Sequence, residues 1–146
     1  MPGIIVGVDG SGHSQRALEW AMREAALRHA PLTVLTVDPA IVGYFGGTVT
    51  TARDLEITEQ VRAAVQAETD KALASLDGSH PESVTVKAMH GFPVQELVNA
   101  SKDADLIVLG SHGAGGFTRM LLGSTAGQVV QHAQCPVLIV PPEDRS

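Results

Sequence analysis

A single cysteine, Cys135, stands in 146 residues. No internal disulfide can form, and a lone thiol fits a reducing compartment. Cys135 precedes an apolar run and reads as a buried thiol rather than a nucleophile. Aromatic residues make up only 3% of the chain. The core must therefore be built from Val, Leu, Ile and Ala, as in parallel sheets covered by helices. Nor is there the aromatic series on which single-stranded nucleic acids stack. Ten basic residues face sixteen acidic ones, for a net charge of −6. Without a run of Lys or Arg there is no basic face to neutralise a phosphate backbone, so nucleic acid is not an expected partner. Long hydrophobic runs are missing as well: the longest are strand-sized and cannot span a bilayer, so no membrane partner is expected. Met1-Pro2-Gly3-Ile4 passes straight into an apolar run, without the charged start and small-residue cleavage site of a secretory leader; the expected location is cytoplasmic. His13, His29, His80, His90, His112 and His132 include no pair at metal-ligand spacing, so no dedicated zinc site is expected.

What is present is an ordered alternation. Residues 1–146 suit one domain, and 44% apolar against 18% charged residues argues against disorder. Five short apolar runs, Ile4–Val8, Leu32–Val37, Val84–Met89, Leu106–Leu109 and Val137–Val140, are bounded chiefly by Gly, Pro, Asp or Ser. Continuous rather than alternating runs predict strands buried on both faces. Between them lie helical spacings: Ala17, Leu18, Ala21, Met22 and Ala25 within Ser14–His29; Ile57, Val61, Val65, Ala72 and Leu76 within about Leu55–Leu76; Val94, Leu97 and Val98 after Pro93; and Ala126, Val129, Val130 and Ala133 within Ser124–Ala133. Strands alternating with helices predict a parallel sheet with helices on both faces and right-handed crossovers. Tyr44–Arg53, with its Gly and Thr cluster, reads as an irregular mobile loop, either a lid over a site or a plain connector. The tail after Pro142 is polar and expected to fray.

Ligands of open α/β sheets sit at the carboxyl ends of strands, so the strand-to-helix turns are where chemistry is expected. The first is Val8-Asp9-Gly10-Ser11-Gly12. The fourth, Leu109-Gly110-Ser111-His112-Gly113-Ala114-Gly115-Gly116, carries four glycines within seven residues. Such a turn lets backbone N–H groups approach an anion. Gly123-Ser124-Thr125 then opens a helix whose N-terminal amides and hydroxyls favour phosphate; an ordinary Ser cap is the alternative. Known phosphate loops do not fit: no Lys stands where a Walker A loop requires one, and neither Gly10-Ser11-Gly12 nor Gly113-Ala114-Gly115 continues to the last Gly of a dinucleotide fingerprint. His112 and Arg119 lie in the same turn; surface packing and solvation are the simpler readings of both.

Gly110-x2-Gly113-x9-Gly123-Ser124 is similar to the G-2x-G-9x-G-[S/T] pattern of ATP-binding universal stress proteins. Val6-Gly7-Val8-Asp9-Gly10-Ser11, Gly91-x-Pro93, Val108-Leu109-Gly110-Ser111-His112-Gly113 and Cys135-Pro136-Val137-Leu138-Ile139-Val140 also resemble that family, over nearly the whole chain. The resemblance implies an α/β fold of the adenine-nucleotide α-hydrolase-like type, with one open parallel sheet of five strands in order 3-2-1-4-5. It implies roles as well. Asp9 contacts the ribose hydroxyls, with Gly7 and Val8 lining that strand end. Val37, or Thr36 if the alignment slips by one, walls the adenine. Gly110 and Gly113 pass beneath ribose and phosphates, Leu109 before them is among the implied nucleotide-binding residues, and Gly123, Ser124 and Thr125 hold the β- and γ-phosphates. ATP or another adenine nucleotide is the implied ligand, and Mg²⁺ can accompany it, held by phosphates and water.

The implied function is a nucleotide-responsive binding module in stress physiology. A weak ATPase or other ATP-using enzyme is the alternative, but the turn lacks a positioned base and Arg119 is its one candidate cation, so turnover should be slow or absent. A homodimeric interaction protein with a vestigial site is a third reading, which the intact glycine pattern weakens. The final strand, placed at a sheet edge by that order and bracketed by Pro136 and Pro141-Pro142, is expected to join two copies through Val137, Leu138, Ile139 and Val140, with Leu138→Pro breaking the pair.

Overall fold

Strand β1 (Ile4–Gly7) forms from an apolar run that Gly3 and Asp9 delimit, and helix α1 (Gly12–Arg28) follows. Residues 3–9, 12–39, 41–42, 48–49, 52–111 and 123–141 are described by the computed structural model. Helix α1 ends where His29 takes a positive φ of 50°, and the Ala30 amide reaches back to the Ala25 carbonyl at 2.9 Å, a left-handed cap of the Schellman kind. Then come β2 (Pro31–Pro39), β3 (Ile41–Val42), β4 (Thr48–Val49), α2 (Ala52–Ala74), β5 (Ser83–Gly91), α3 (Pro93–Ser101), β6 (Leu106–Gly110), α4 (Ser124–His132) and β7 (Val137–Val140). Pro93 occupies the first turn of α3, where its missing N–H costs nothing.

The main sheet has five strands in the order β5-β2-β1-β6-β7, all parallel. Counting only these five along the chain, the order is the expected 3-2-1-4-5. The residues of the inner strands sort by parity into two layers, while the edge strand β5 departs from the expectation of burial on both faces, since Thr85 and Lys87 inside its run are exposed. Ile4, Val6, Leu32, Val34, Leu106 and Val108 pack with Leu18, Met22 and Val65 of α1 and α2. Ile5, Leu35, Val37, Ile107 and Leu109 pack with Leu97 of α3 and Val129 of α4. The helices thus cover both faces, and the sheet is the middle of three layers.

The boundaries depart from the sequence expectation in an instructive way. β2 and β5 pair in register from Pro31 with Ser83 through to Pro39 with Gly91, beyond the apolar runs Leu32–Val37 and Val84–Met89. Ladder bonds are made by the backbone, and polar Thr85 and Lys87 face outward on the edge strand β5. β1 ends at Gly7 rather than Val8, although the Val8 amide still donates to the Leu35 carbonyl at 2.9 Å. The reading of Tyr44–Arg53 as irregular is corrected in part: Thr48–Val49 pairs antiparallel with Ile41–Val42, and Arg53 already belongs to α2. Ile41, Val42, Thr48 and Val49 are all β-branched, which favours the pleated conformation. The tail after Pro142 lies outside the described residues.

Candidate functional site at the carboxyl end of the sheet

The chain order reverses between β1 and β6, so these neighbours diverge at their carboxyl ends into connections on opposite faces of the sheet. Such a switch point opens a crevice. Asp9, just past β1, is exposed. Its amide donates to the Ser14 hydroxyl at 3.3 Å, and Ser14 is buried beneath the first turns of α1. A side chain of α1 therefore fixes the strand-to-helix turn.

Beyond β6, the Ser111 amide donates to the Val140 carbonyl at 3.1 Å, and the Ser111 carbonyl accepts from the Gly123 amide at 2.6 Å. This second bond brings the start of α4 onto the end of β6. Gly123 is the extended N-cap residue, φ −61° and ψ 161°, with no side-chain cap bond. The first helical bond runs from the Gly127 amide to the Gly123 carbonyl at 2.8 Å. The amides of Ser124, Thr125 and Ala126 therefore head the helix with no partner inside it, at its positive end. Ser124 is exposed and Thr125 half-buried, while Ala126 is anchored in the core. A carboxylate-bearing turn and a helix N-terminus thus flank the same switch point, an arrangement suited to a ligand with hydroxyls at one part and phosphate at another.

The other predicted residues are placed as follows. Gly7 lies beneath the crevice, but packing explains its lack of a side chain: a Cβ there would stand 2.7 Å from Leu109 Cδ2 and 3.3 Å from Leu97 Cδ2. Val8 and Leu109 are core side chains, leaving only backbone to line the strand ends. Gly110 sits opposite Val140 in the β6–β7 register. Val37 packs in the α3 and α4 layer with Leu35 and Leu109; the alternative, Thr36, is 3% exposed and by parity points to the opposite face. Gly113, His112 and Arg119 lie outside the described residues. Sequence reading did not single out Ser14, Ser111 or Arg16. Arg16 extends one guanidinium N–H to the Pro141 carbonyl at 2.5 Å, bringing a cation to the carboxyl end of the sheet. The five-residue step from Asp9 to Ser14 is the kind of local clue that reveals a hydroxyl turning a strand into a helix.

Cys135, at the opposite end of β7, is kept away from this crevice. Burial pushes its thiol above the usual range, nearby Asp105 acts in the same direction, and a hydrogen bond with the Ile107 backbone opposes them. The thiol also donates to the Pro136 carbonyl at 3.4 Å. The thiol is half-buried rather than buried as its place beside an apolar run suggested. Among the described residues no helix is long and apolar enough to cross a membrane.

Comparison with known proteins agrees with this architecture. Residues 2–141 match the model of the universal stress protein family. A universal stress protein of Mycolicibacterium smegmatis is 34% identical over 146 residues, which cover 99% of this chain and 49% of that protein. The chain spans about half the length of the curated relatives it matches. Among solved structures, universal stress protein UspA from Lactobacillus plantarum superposes with a TM-score of 0.74 at 28% identity, covering 95% of this chain and 97% of that one. A universal stress protein in complex with cAMP gives 0.68 at 25% identity, covering 97% and 98% of the two chains. The chain belongs to the universal stress protein family.

Proposed function

We propose that this chain binds an adenine nucleotide, ATP in particular, and acts as a nucleotide-responsive regulatory module in the cytoplasmic stress response. The observation that supports the reading is the Gly123–Ser111 bond, which brings the amide-bearing start of α4 onto the end of β6, the strand paired with the one that leads into Asp9. The cAMP complex of a related universal stress protein supports an adenine nucleotide over other anions. In this reading the Asp9 carboxylate accepts from the ribose hydroxyls, and Val37 offers the adenine an apolar wall. The backbone of Gly7, Val8 and Leu109 lines the strand ends. Gly110 and Gly113 run beneath the ribose and phosphates, and Gly123, Ser124 and Thr125 bond the β- and γ-phosphates. Mg²⁺ would enter with the phosphates, coordinated largely by them and by water.

The net charge of −6 opposes an anion, but such charge is screened over about 8 Å at physiological salt, and the helix amides act inside that distance. Hydrolysis should be slow or absent. A steady-state ATPase rate of roughly 1 s⁻¹ or more, a typical enzymatic turnover, that Ser124→Ala abolishes would favour the enzyme reading. The deciding experiment is mass spectrometry of the nucleotide released from freshly purified, denatured protein, joined to calorimetry with ATP and GTP. Adenine nucleotide should be recovered, and ATP should bind more tightly than GTP. No heat and no shift in melting temperature with millimolar ATP, with or without Mg²⁺, would overturn the reading.

A further inference from the structure

Arg16 lies in the second turn of α1, half-buried, and spends one N–H of its guanidinium on the carbonyl of Pro141, the residue that follows β7. The remainder of its donor fork forms no ion pair with any described residue: the ion pairs among them join Arg28 to Glu24 and Arg62 to Glu59. A half-buried guanidinium whose partner among the described residues is one neutral oxygen retains most of its capacity to bind an anion. A short chain of backbone bonds fixes its location. Pro141 adjoins Val140, the Val140 carbonyl accepts from the Ser111 amide, and the Ser111 carbonyl accepts from the Gly123 amide. The guanidinium therefore stands on the same end of the sheet as the N-terminus of α4, on the side of β6 and β7 rather than of β2.

We propose that Arg16 is a phosphate-reading cation of this site: held in position by the Pro141 carbonyl, it contacts the terminal phosphates and makes the site prefer nucleoside triphosphates to monophosphates. This inference rests on the adenine-nucleotide reading above. Helix amides supply partial charges that fade within about one turn. They cannot alone discriminate strongly between two and four negative charges, whereas a full charge near the distal phosphates can. The carbonyl anchor matters because it restrains a long side chain in advance, so that less freedom is lost when the phosphate arrives. Guanidinium donors beyond the anchoring N–H can meet a phosphate in the forked geometry that Lys cannot reproduce.

The test compares ATP and AMP binding by calorimetry in the parent protein, Arg16→Gln and Arg16→Lys. Arg16→Gln should weaken ATP about 10- to 150-fold, the range for a lost hydrogen bond to a charged group, and leave AMP within about 3-fold. Arg16→Lys should fall between them, since charge returns without the fork. A purely structural clamp from α1 to β7 would instead weaken both nucleotides alike or neither, and either result overturns the inference. Should Arg16→Gln unfold, phenylglyoxal labelling of the parent decides: ATP should shield Arg16 and AMP should not, and equal labelling rates overturn the proposal. A parent protein that binds neither nucleotide overturns the function proposed above and this inference with it. A parent that binds both, with an unchanged ATP-to-AMP ratio in Arg16→Gln, overturns this inference alone.

Discussion

Gly123 donates its amide to the Ser111 carbonyl at 2.6 Å, so the start of α4 meets the carboxyl end of β6. The helix that follows is thereby aimed at the switch point instead of being free to start elsewhere. Because the Gly123 amide is already used, the donors left for a ligand are those of the next three residues, together with the exposed hydroxyl of Ser124.

Ser124→Ala separates binding from folding. Ser124 is exposed, and the α4 N-cap is Gly123, without a side-chain cap bond. Stability should therefore stay within about 0.5 kcal/mol of the parent, as for most surface substitutions. ATP affinity should fall about 10- to 150-fold, because a hydrogen bond to a charged group contributes roughly 1.5–3 kcal/mol. Calorimetry and a thermal melt on the same sample check both. A variant that binds ATP like the parent would locate the phosphates elsewhere.

Two glycines of the first strand region should respond differently to alanine. At Gly3 the added Cβ would press on the Pro31 carbonyl oxygen, with Pro31 Cβ at 3.0 Å, and backbone on a paired strand cannot yield cheaply. At Gly7 the neighbours are methyl groups of Leu109 and Leu97, which can rotate. Overpacking costs about 1–3 kcal/mol; Gly7→Ala should fall at the low end of that range and Gly3→Ala at the high end. Urea midpoints at constant m-value measure the order. If Gly7→Ala keeps its affinity for ATP, that glycine is there for packing. A reversed order of stabilities would contradict the geometry.

Much of this was legible in the chain itself. β1, β6 and β7 of the described residues announce themselves because a parallel sheet covered on both faces needs continuous apolar runs, and these runs end at Asp, Gly or Pro; the edge strand β5 shows instead an alternation, with Thr85 and Lys87 exposed. The α4 start was legible too, since Gly123-Ser124-Thr125 joins a cap residue to a helical spacing. Gly7 was ambiguous: a glycine admits either a ligand or a neighbouring side chain, and only the positions of Leu97 and Leu109 disclose that this one receives side chains. The β3–β4 pair escaped notice because two residues are too few to show a period. Arg16 was invisible for another reason: its partner lies 125 residues away, and no local pattern announces a contact made through the fold.

The Cys135 thiol gives a pH signature. Its folded-state pKa is raised, chiefly by burial, so as pH rises the unfolded chain loses this proton first. The native state then holds more protons than the unfolded state, and stability declines with increasing pH. This contribution is intact below the unfolded thiol's value of about 8.5 and is lost as pH climbs through the higher folded value. Alkylation by iodoacetamide at about pH 8.5 should be several-fold slower in native than in urea-unfolded protein, since the thiolate is the nucleophile. In Cys135→Ser the decline of stability above that pH should be shallower. Equal alkylation rates in both states would show the thiol to be unperturbed.

The last prediction is a homodimer through β7. This strand is the outer member of the sheet order, and its described partner is β6 alone. The Ile107 amide donates to the Pro136 carbonyl and the Ser111 amide to the Val140 carbonyl. By the two-residue repeat of a parallel ladder, the Leu138 and Val140 amides face β6 while those of Val137 and Ile139 face the open edge. The sequence-based choice of Leu138→Pro is therefore corrected: it would break the sheet's own ladder, because Leu138 turns its N–H inward. Ile139→Pro is the discriminating change, since it removes an outward donor and spares the β6 bonds. Pro136 and Pro141 bracket the strand and cannot donate to a ladder, so the pairable edge is short, which favours one antiparallel partner across a two-fold axis over an open stack. Light scattering at micromolar concentration should give twice the chain mass of 15.2 kDa for the parent and the single-chain mass for Ile139→Pro. A parent at 15.2 kDa would mean that the edge is protected by something other than a second copy, and a dimeric Ile139→Pro would mean that the copies join elsewhere.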